Sequence, residues 1–173
     1  VGGSSAWDSY TKLILHCDGT DAATTFTDEI GKIVTAVGNA QIDTAQKKFG
    51  TASGLFDGTG DYLTVPDSDD WNFGTGDFTV DFQIRINTVA RDNAFFDLGN
   101  YIANAGLGCY RSSAGNLVVF MNGGAGKYTN AWVPVAGTWY HVEISRSGTD
   151  LKVFIDGTQL GATVTNSTDI QAG

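Results

Sequence analysis

Strict alternation marks residues 77–86, where Phe78, Val80, Phe82, Ile84 and Ile86 are separated by Thr79, Asp81, Gln83 and Arg85. Successive side chains of a strand point to opposite faces, so this run predicts a β-strand with its large apolar side chains on one face. A second alternation spans 138–146, with Trp139, His141, Glu143 and Ser145 opposing Tyr140, Val142, Ile144 and Arg146. Shorter runs rich in β-branched and aromatic residues predict strands at 11–16, 24–28, 32–37, 61–65, 94–98, 106–111, 116–121 and 150–156. Asp156-Gly157, between Phe154-Ile155 and Thr158-Gln159-Leu160, is a hairpin signal. No stretch of about twelve residues carries a helical apolar period. The pattern predicts an all-β fold, a two-sheet antiparallel sandwich with the alternating residues on its inner faces.

Composition sharpens this picture. With 23 Gly and only 2 Pro, and no period-three glycine, the chain suits many tight turns between strands and excludes collagen. Its formal charge is −9, and the 10 basic residues are scattered. Nucleic-acid binding needs a clustered basic footprint, so it is not expected, and anionic membrane surfaces are disfavoured for the same reason. No apolar run approaches the roughly 18 residues of a membrane span, so membrane insertion is not expected. Of the 19 acidic residues 17 are Asp, leaving Glu29 and Glu143. Aspartate favours turns, and it also ligates oxygen-seeking cations, which leaves calcium as the one cofactor to consider. Cys17 and Cys109 have no metal-binding spacing; two buried thiols or one disulfide both fit.

The stretch Phe49-Gly50-Thr51-Ala52-Ser53-Gly54-Leu55-Phe56-Asp57-Gly58-Thr59-Gly60-Asp61-Tyr62-Leu63-Thr64-Val65-Pro66 resembles a signature of laminin-G-like members of the concanavalin A-like lectin/glucanase superfamily. Trp71-Asn72-Phe73-Gly74-Thr75-Gly76-Asp77-Phe78-Thr79-Val80, then Gly137-Thr138-Trp139-Tyr140-His141-Val142, then Leu151-Lys152-Val153-Phe154-Ile155-Asp156-Gly157, resemble its later strands in the family's order. The resemblance implies a jelly roll of two packed antiparallel sheets. It suggests a short extension over 1–10 and one domain over 11–173. Asp57, Gly58, Gly60, Asp61, Tyr62, Trp139, Asp156 and Gly157 are then structural motif residues. Gly58 and Gly60 permit positive φ, and Asp57 and Asp61 suit turn amides, so the motif reads as a corner of the fold rather than a calcium site. Family members usually continue beyond the segment Asn166–Gly173 with strands that close the sandwich. Their absence, and the start at Val1 without Met, lead to the expectation of a piece of a longer protein, or of a strand supplied by another chain.

Candidate chemistry is sparse. Glycoside hydrolysis needs two carboxylates across the scissile bond, and neither Glu29 nor Glu143 sits in the E-x-D-x-E type pattern of the superfamily's glucanases. The chain is therefore expected to be no enzyme, with glycoside hydrolase the remotest alternative. Loops 87–105 and 122–132 are the richest in binding chemistry. Asn93, Asp97, Asn100 and Asn104 could hydrogen-bond sugar hydroxyls, and Tyr101, Tyr128 and Trp132 could stack on a pyranose face. Asp92, Asp97 and Asn100 are the candidate metal ligands. Segments such as Leu13-Ile14-Leu15-His16-Cys17-Asp18-Gly19-Thr20 resemble laminin-G-like modules of tailed-phage virion proteins. That resemblance implies a non-catalytic structural or interaction module in a tail fibre, appendage or capsid-decorating protein, oligomeric with other virion or surface subunits. The alternative is a calcium-assisted, lectin-like domain of a secreted or cell-surface protein that binds a surface glycan.

Overall fold

Two regions of the chain bury separate sets of apolar side chains, and they form two compact units, Val1–Pro66 and Asp67–Gly173. The computed structural model describes residues 7–99, 106–122 and 127–171. Residues 1–6 of the expected extension lie outside the described residues.

In the first unit, β1 (Thr35–Val37), β2 (Gln41–Asp43), β3 (Ser53–Leu55) and β4 (Tyr62–Thr64) make two antiparallel ribbons, β1–β4 and β2–β3. Phe26, Ile42 and Ala52 are buried between them, with Val34, Ala36 and Leu63 packed alongside. The strands expected at 11–16 and 24–28 reduce to a single bridge, Leu15 with Asp28. Asp28 is the reason. It is 5% exposed, and its carboxylate accepts the amide protons of Ile14 at 2.7 Å and Lys32 at 2.8 Å. Those donors serve a side chain instead of a longer ladder.

The corner at Phe56–Val65 is tied the same way. Asp61 accepts from the Asn39 amide through one carboxylate oxygen and from the Asp57 amide through the other, and Asp57 accepts from the Thr59 amide. Gly58 and Gly60 have φ of 82° and 78°. A side chain at Gly38 would drive its Cβ into Asp61 Oδ1, so the β1–β4 ribbon closes only over a glycine.

The second unit is an antiparallel sandwich. One sheet orders β12 (Thr158–Gln159), β11 (Asp150–Ile155), β10 (Trp139–Ser147) and β5 (Phe78–Arg85), with β13 (Val164–Thr165) also on β11. The other orders β6 (Asn93–Leu98), β7 (Leu107–Arg111), β8 (Asn116–Met121) and β9 (Tyr128–Ala131). Both alternating runs of the sequence are here, paired as Val142 with Phe82 and Ile144 with Val80. Val142, Ile144, Leu151, Val153, Leu107, Leu117, Val119 and Met121 bury fully between the sheets. The Asp156-Gly157 turn has φ of 49° and 76°, the double positive conformation that matches strand twist in a two-residue hairpin.

Arg146 continues the inward face of Ile144 and is 1% exposed. Its guanidinium donates to the carbonyls of Gly74, Gly76 and Thr168 and to Asn166 Oδ1, and lies 5.1 Å from the centre of the Phe78 ring. Burial lowers its pKa, opposed by Asp77 and Asp169, and an arginine in such surroundings stays charged. The segment after β13 is thereby held across the end of the core. Ile170 exchanges two backbone hydrogen bonds with Gly74 and is 0% exposed. Val164-Thr165 on β11 and the Ile170 bridge to Gly74 are the sheet contacts of this segment. Within the described residues of this unit β5 pairs with β10.

Candidate functional site

Register decides what the β6–β9 sheet shows to solvent. Leu107, Cys109, Leu117 and Val119 point into the core, so their alternates Gly108, Tyr110, Val118 and Phe120 lie on the other face, where Val118 and Phe120 are themselves buried and Tyr110 is half-buried. On β6 a bulge between Ala94 and Phe96 places Phe95 and Phe96 together on the core side. Ala94 and Asp97 then join the outward face, opposite Tyr110 and Gly108. The outward row runs Asp97, Gly108, Phe120, and beside it Ala94, Tyr110, Val118.

Gly108 shapes this face. A Cβ there would collide with the Phe120 ring, so the ring rests directly over the backbone of β7. Tyr110 tilts against it with ring centres 6.2 Å apart. The result is a shallow cleft of about 490 Å³, lined among the described residues by Asp92, Ala94, Phe96, Asp97, Cys109, Tyr110 and Phe120. Replacing Gly108 with alanine is expected to displace the Phe120 ring and cost about 1–3 kcal/mol, the usual penalty for overpacking. A thermal melt of the variant checks this.

The two carboxylates of the cleft differ. Partial burial pushes the Asp97 carboxyl up. Asp92 is held low by the Ser113 amide, which donates to it at 2.6 Å, then by the Ser113 hydroxyl and the nearby Arg111. They stand five residues apart, but the β6 bulge shortens the path: Asn93 to Asp97 spans only Arg111 to Gly108 on β7, so their backbones are roughly 13 Å apart at about 3.3 Å per residue.

Of the residues singled out from the sequence, only Asp92 and Asp97 reach the cleft. Asn93 turns its amide to the carbonyls of Thr88 and Arg91, holding the preceding loop. Asn100, Tyr101 and Asn104 lie outside the described residues. Tyr128 and Trp132 are corrected: at 1% and 7% exposed they belong to the core, where Trp132 packs edge-on against Phe95 and Tyr140, and neither offers a face to a sugar. Burial raises the Tyr128 hydroxyl pKa. Among the described residues no three His, Cys, Asp or Glu side chains converge as metal ligands. Both cysteines are free thiols, and burial pushes the Cys109 thiol far up. His141 shares a face with Glu143 as the alternation requires, but its Nε2 approaches Asp81 Oδ1, at 3.4 Å. Gly108, Tyr110 and Phe120 were not singled out, although the alternation in Leu107-Gly108-Cys109-Tyr110-Arg111 carries the signal of an outward aromatic next to a glycine.

Among known structures, an S-layer domain-containing protein from Clostridium thermocellum shares this fold, with a TM-score of 0.50 at 24% identity, covering 93% of this chain and 74% of that one. The carbohydrate binding module CBM66 from Bacillus subtilis gives a TM-score of 0.48 at 16% identity, covering 79% and 81%. No curated protein sequence matches the chain. A laminin-G-like family model, described as the concanavalin A-like lectin/glucanases superfamily, matches residues 57–173, and the chain belongs to that family.

Proposed function

We propose that the chain is a non-catalytic carbohydrate-binding module of an extracellular or surface protein, with the β6–β8 cleft as its sugar site. The observation that carries this is the half-buried Tyr110 ring on the same face as the exposed Asp97 carboxylate, backed by the buried Phe120 ring that rests over Gly108. A pyranose has an apolar face of C–H groups and a rim of hydroxyls. The Tyr110 ring suits the first and an exposed carboxylate acceptor suits the second. Membership of a superfamily described by its lectins supports the same class of ligand.

Hydrolysis is not part of the proposal. A phage virion, the setting that the wording of the sequence suggests, is one place such a module would work, with the same cleft on a host-surface glycan.

Affinity electrophoresis against a panel of soluble polysaccharides tests the proposal, repeated in EDTA to read any calcium dependence. At least one polysaccharide is expected to retard the chain, and Tyr110→Ala to weaken that retention by roughly tenfold, as loss of one aromatic contact does. Retention that survives Tyr110→Ala unchanged, or no retention by any polysaccharide, would overturn it.

A further inference from the structure

We propose that Asp97 makes the β6–β8 cleft selective for sugar charge: it takes amino sugars bearing a free ammonium group ahead of neutral ones, and turns acidic sugars away. This rests on the reading of the cleft as a sugar site and names the class of sugar. The charged residues of the lining are Asp92 and Asp97, and among the described residues no lysine or arginine lines it. Residues 100–105 and 123–126, outside the described residues, are Asn, Tyr, Ile, Ala and Gly, none of which carries a charge near neutrality. Arg111 continues the core-facing row of Leu107 and Cys109, is 3% exposed and donates to the Val89 carbonyl. Lys127 stands at the start of β9, three strand spacings from Asp97 on β6, or roughly 14 Å at about 4.8 Å per spacing.

The two carboxylates are not equivalent. Asp92 accepts the Ser113 amide and is offset by Arg111. The Asp97 carboxylate accepts no hydrogen bond from any described residue, and partial burial pushes its pKa up. It is a charge that has lost part of its water and gained no donor in return, so a ligand that brings both a donor and positive charge stabilises it most. An ammonium group brings three N–H donors and a full charge, whereas a hydroxyl brings one donor and no charge. A carboxylate or sulfate on the sugar sets acceptor against acceptor, with Asp92 repelling it from the other end of the cleft. The half-buried Tyr110 ring offers the same apolar contact to all three kinds of sugar, which leaves Asp97 to rank them.

Titration calorimetry of the whole chain tests this with β-1,4-linked hexasaccharides of glucose, glucosamine and glucuronic acid, at about pH 6, above the ordinary carboxyl range. In about 0.15 M salt, charges more than about 8 Å apart are largely screened, so the overall charge of −9 adds little to the ranking. The glucosamine form is expected to bind roughly tenfold tighter than the glucose form, the size of one hydrogen-bonded charge, and the glucuronate form not measurably. Asp97→Asn keeps the shape and removes the charge; it should weaken the glucosamine form by roughly tenfold and leave the glucose form within roughly twofold. Asp67→Asn removes an exposed carboxylate outside the cleft lining and should change neither. No binding of the glucosamine form, equal affinity for the glucose and glucosamine forms, glucuronate binding as tight as either, or a ranking unmoved by Asp97→Asn would overturn the charge selection, while Tyr110-dependent retention of a polysaccharide would still uphold the sugar site. Retention indifferent to Tyr110→Ala, or no sugar bound at all, would overturn the site and the selection together.

Discussion

Replacing Arg146 with methionine is expected to destabilise the Asp67–Gly173 unit by about 3 kcal/mol or more. Methionine fills much of the same volume but donates no hydrogen bond. The carbonyls of Gly76 and Thr168 lose the donor they share, and a buried polar group left unpaired costs about 1–3 kcal/mol, while Asn166 Oδ1 keeps the Thr168 amide. Gly74 suffers less, because its carbonyl also accepts from the Ile170 amide. Lysine in place of Arg146 is expected to fall in between: it keeps the charge but not the planar fork that reaches both the 74–76 turn and the 166–168 segment. Tryptophan fluorescence during urea unfolding reads this directly, since Trp71, Trp132 and Trp139 lie in this unit and only Trp7 lies in the other. A melting temperature that rises in Arg146→Met would mean instead that desolvating the guanidinium costs more than its hydrogen bonds return, as some buried ion groups do.

Asp28→Ala is expected to cost the first unit about 3 kcal/mol, because the amides of Ile14 and Lys32 lose a charged acceptor in a site closed to water. Amide exchange at Ile14 and Lys32 should accelerate first, which separates this local effect from any change in the second unit. Acid is expected to act through the same group. Burial alone would raise the Asp28 carboxyl, but the amides of Ile14, Lys32 and Ile30 and the Lys32 charge outweigh it and hold the pKa below the ordinary value. A carboxyl whose folded pKa is depressed contributes stability fully above its unfolded pKa, about 3.9, and loses it as pH falls through the folded pKa. Asp18, held by the Thr51 amide and hydroxyl, Asp21, held by those of Thr44, and Asp61, held by the Asp57 and Asn39 amides, shift the same way. Loosening of the first unit is therefore expected below about pH 4 and not near neutrality. An acid titration followed by amide exchange checks this, and Asp28→Ala should flatten part of that pH dependence.

These carboxylates also account for the strongly aspartate-rich composition. Asp8, Asp18, Asp21, Asp28, Asp57, Asp61 and Asp92 all accept backbone amide protons, each within or beside a turn. Part of the charge of −9 thus ties loops through backbone amides.

Alternation by itself determined much of the second unit. Long runs such as 77–86 and 138–146 repeat the period often enough to fix which face is apolar, and with it the inward direction of Arg146. Asp156-Gly157 determined its own hairpin, because the required positive φ values select those residues locally. The short segments were decided elsewhere. β9 has four residues, too few for a period to declare itself, and only its pairing with Val119 turns Tyr128, and with it Trp132, into the core. In the first unit a side-chain acceptor, Asp28, replaced the ladder that the apolar run at 11–16 suggested. The cleft was decided last and by tertiary structure alone. Gly108 and Phe120 are twelve residues apart in sequence, and nothing local brings a bare backbone beneath an aromatic ring until β7 and β8 pair in register.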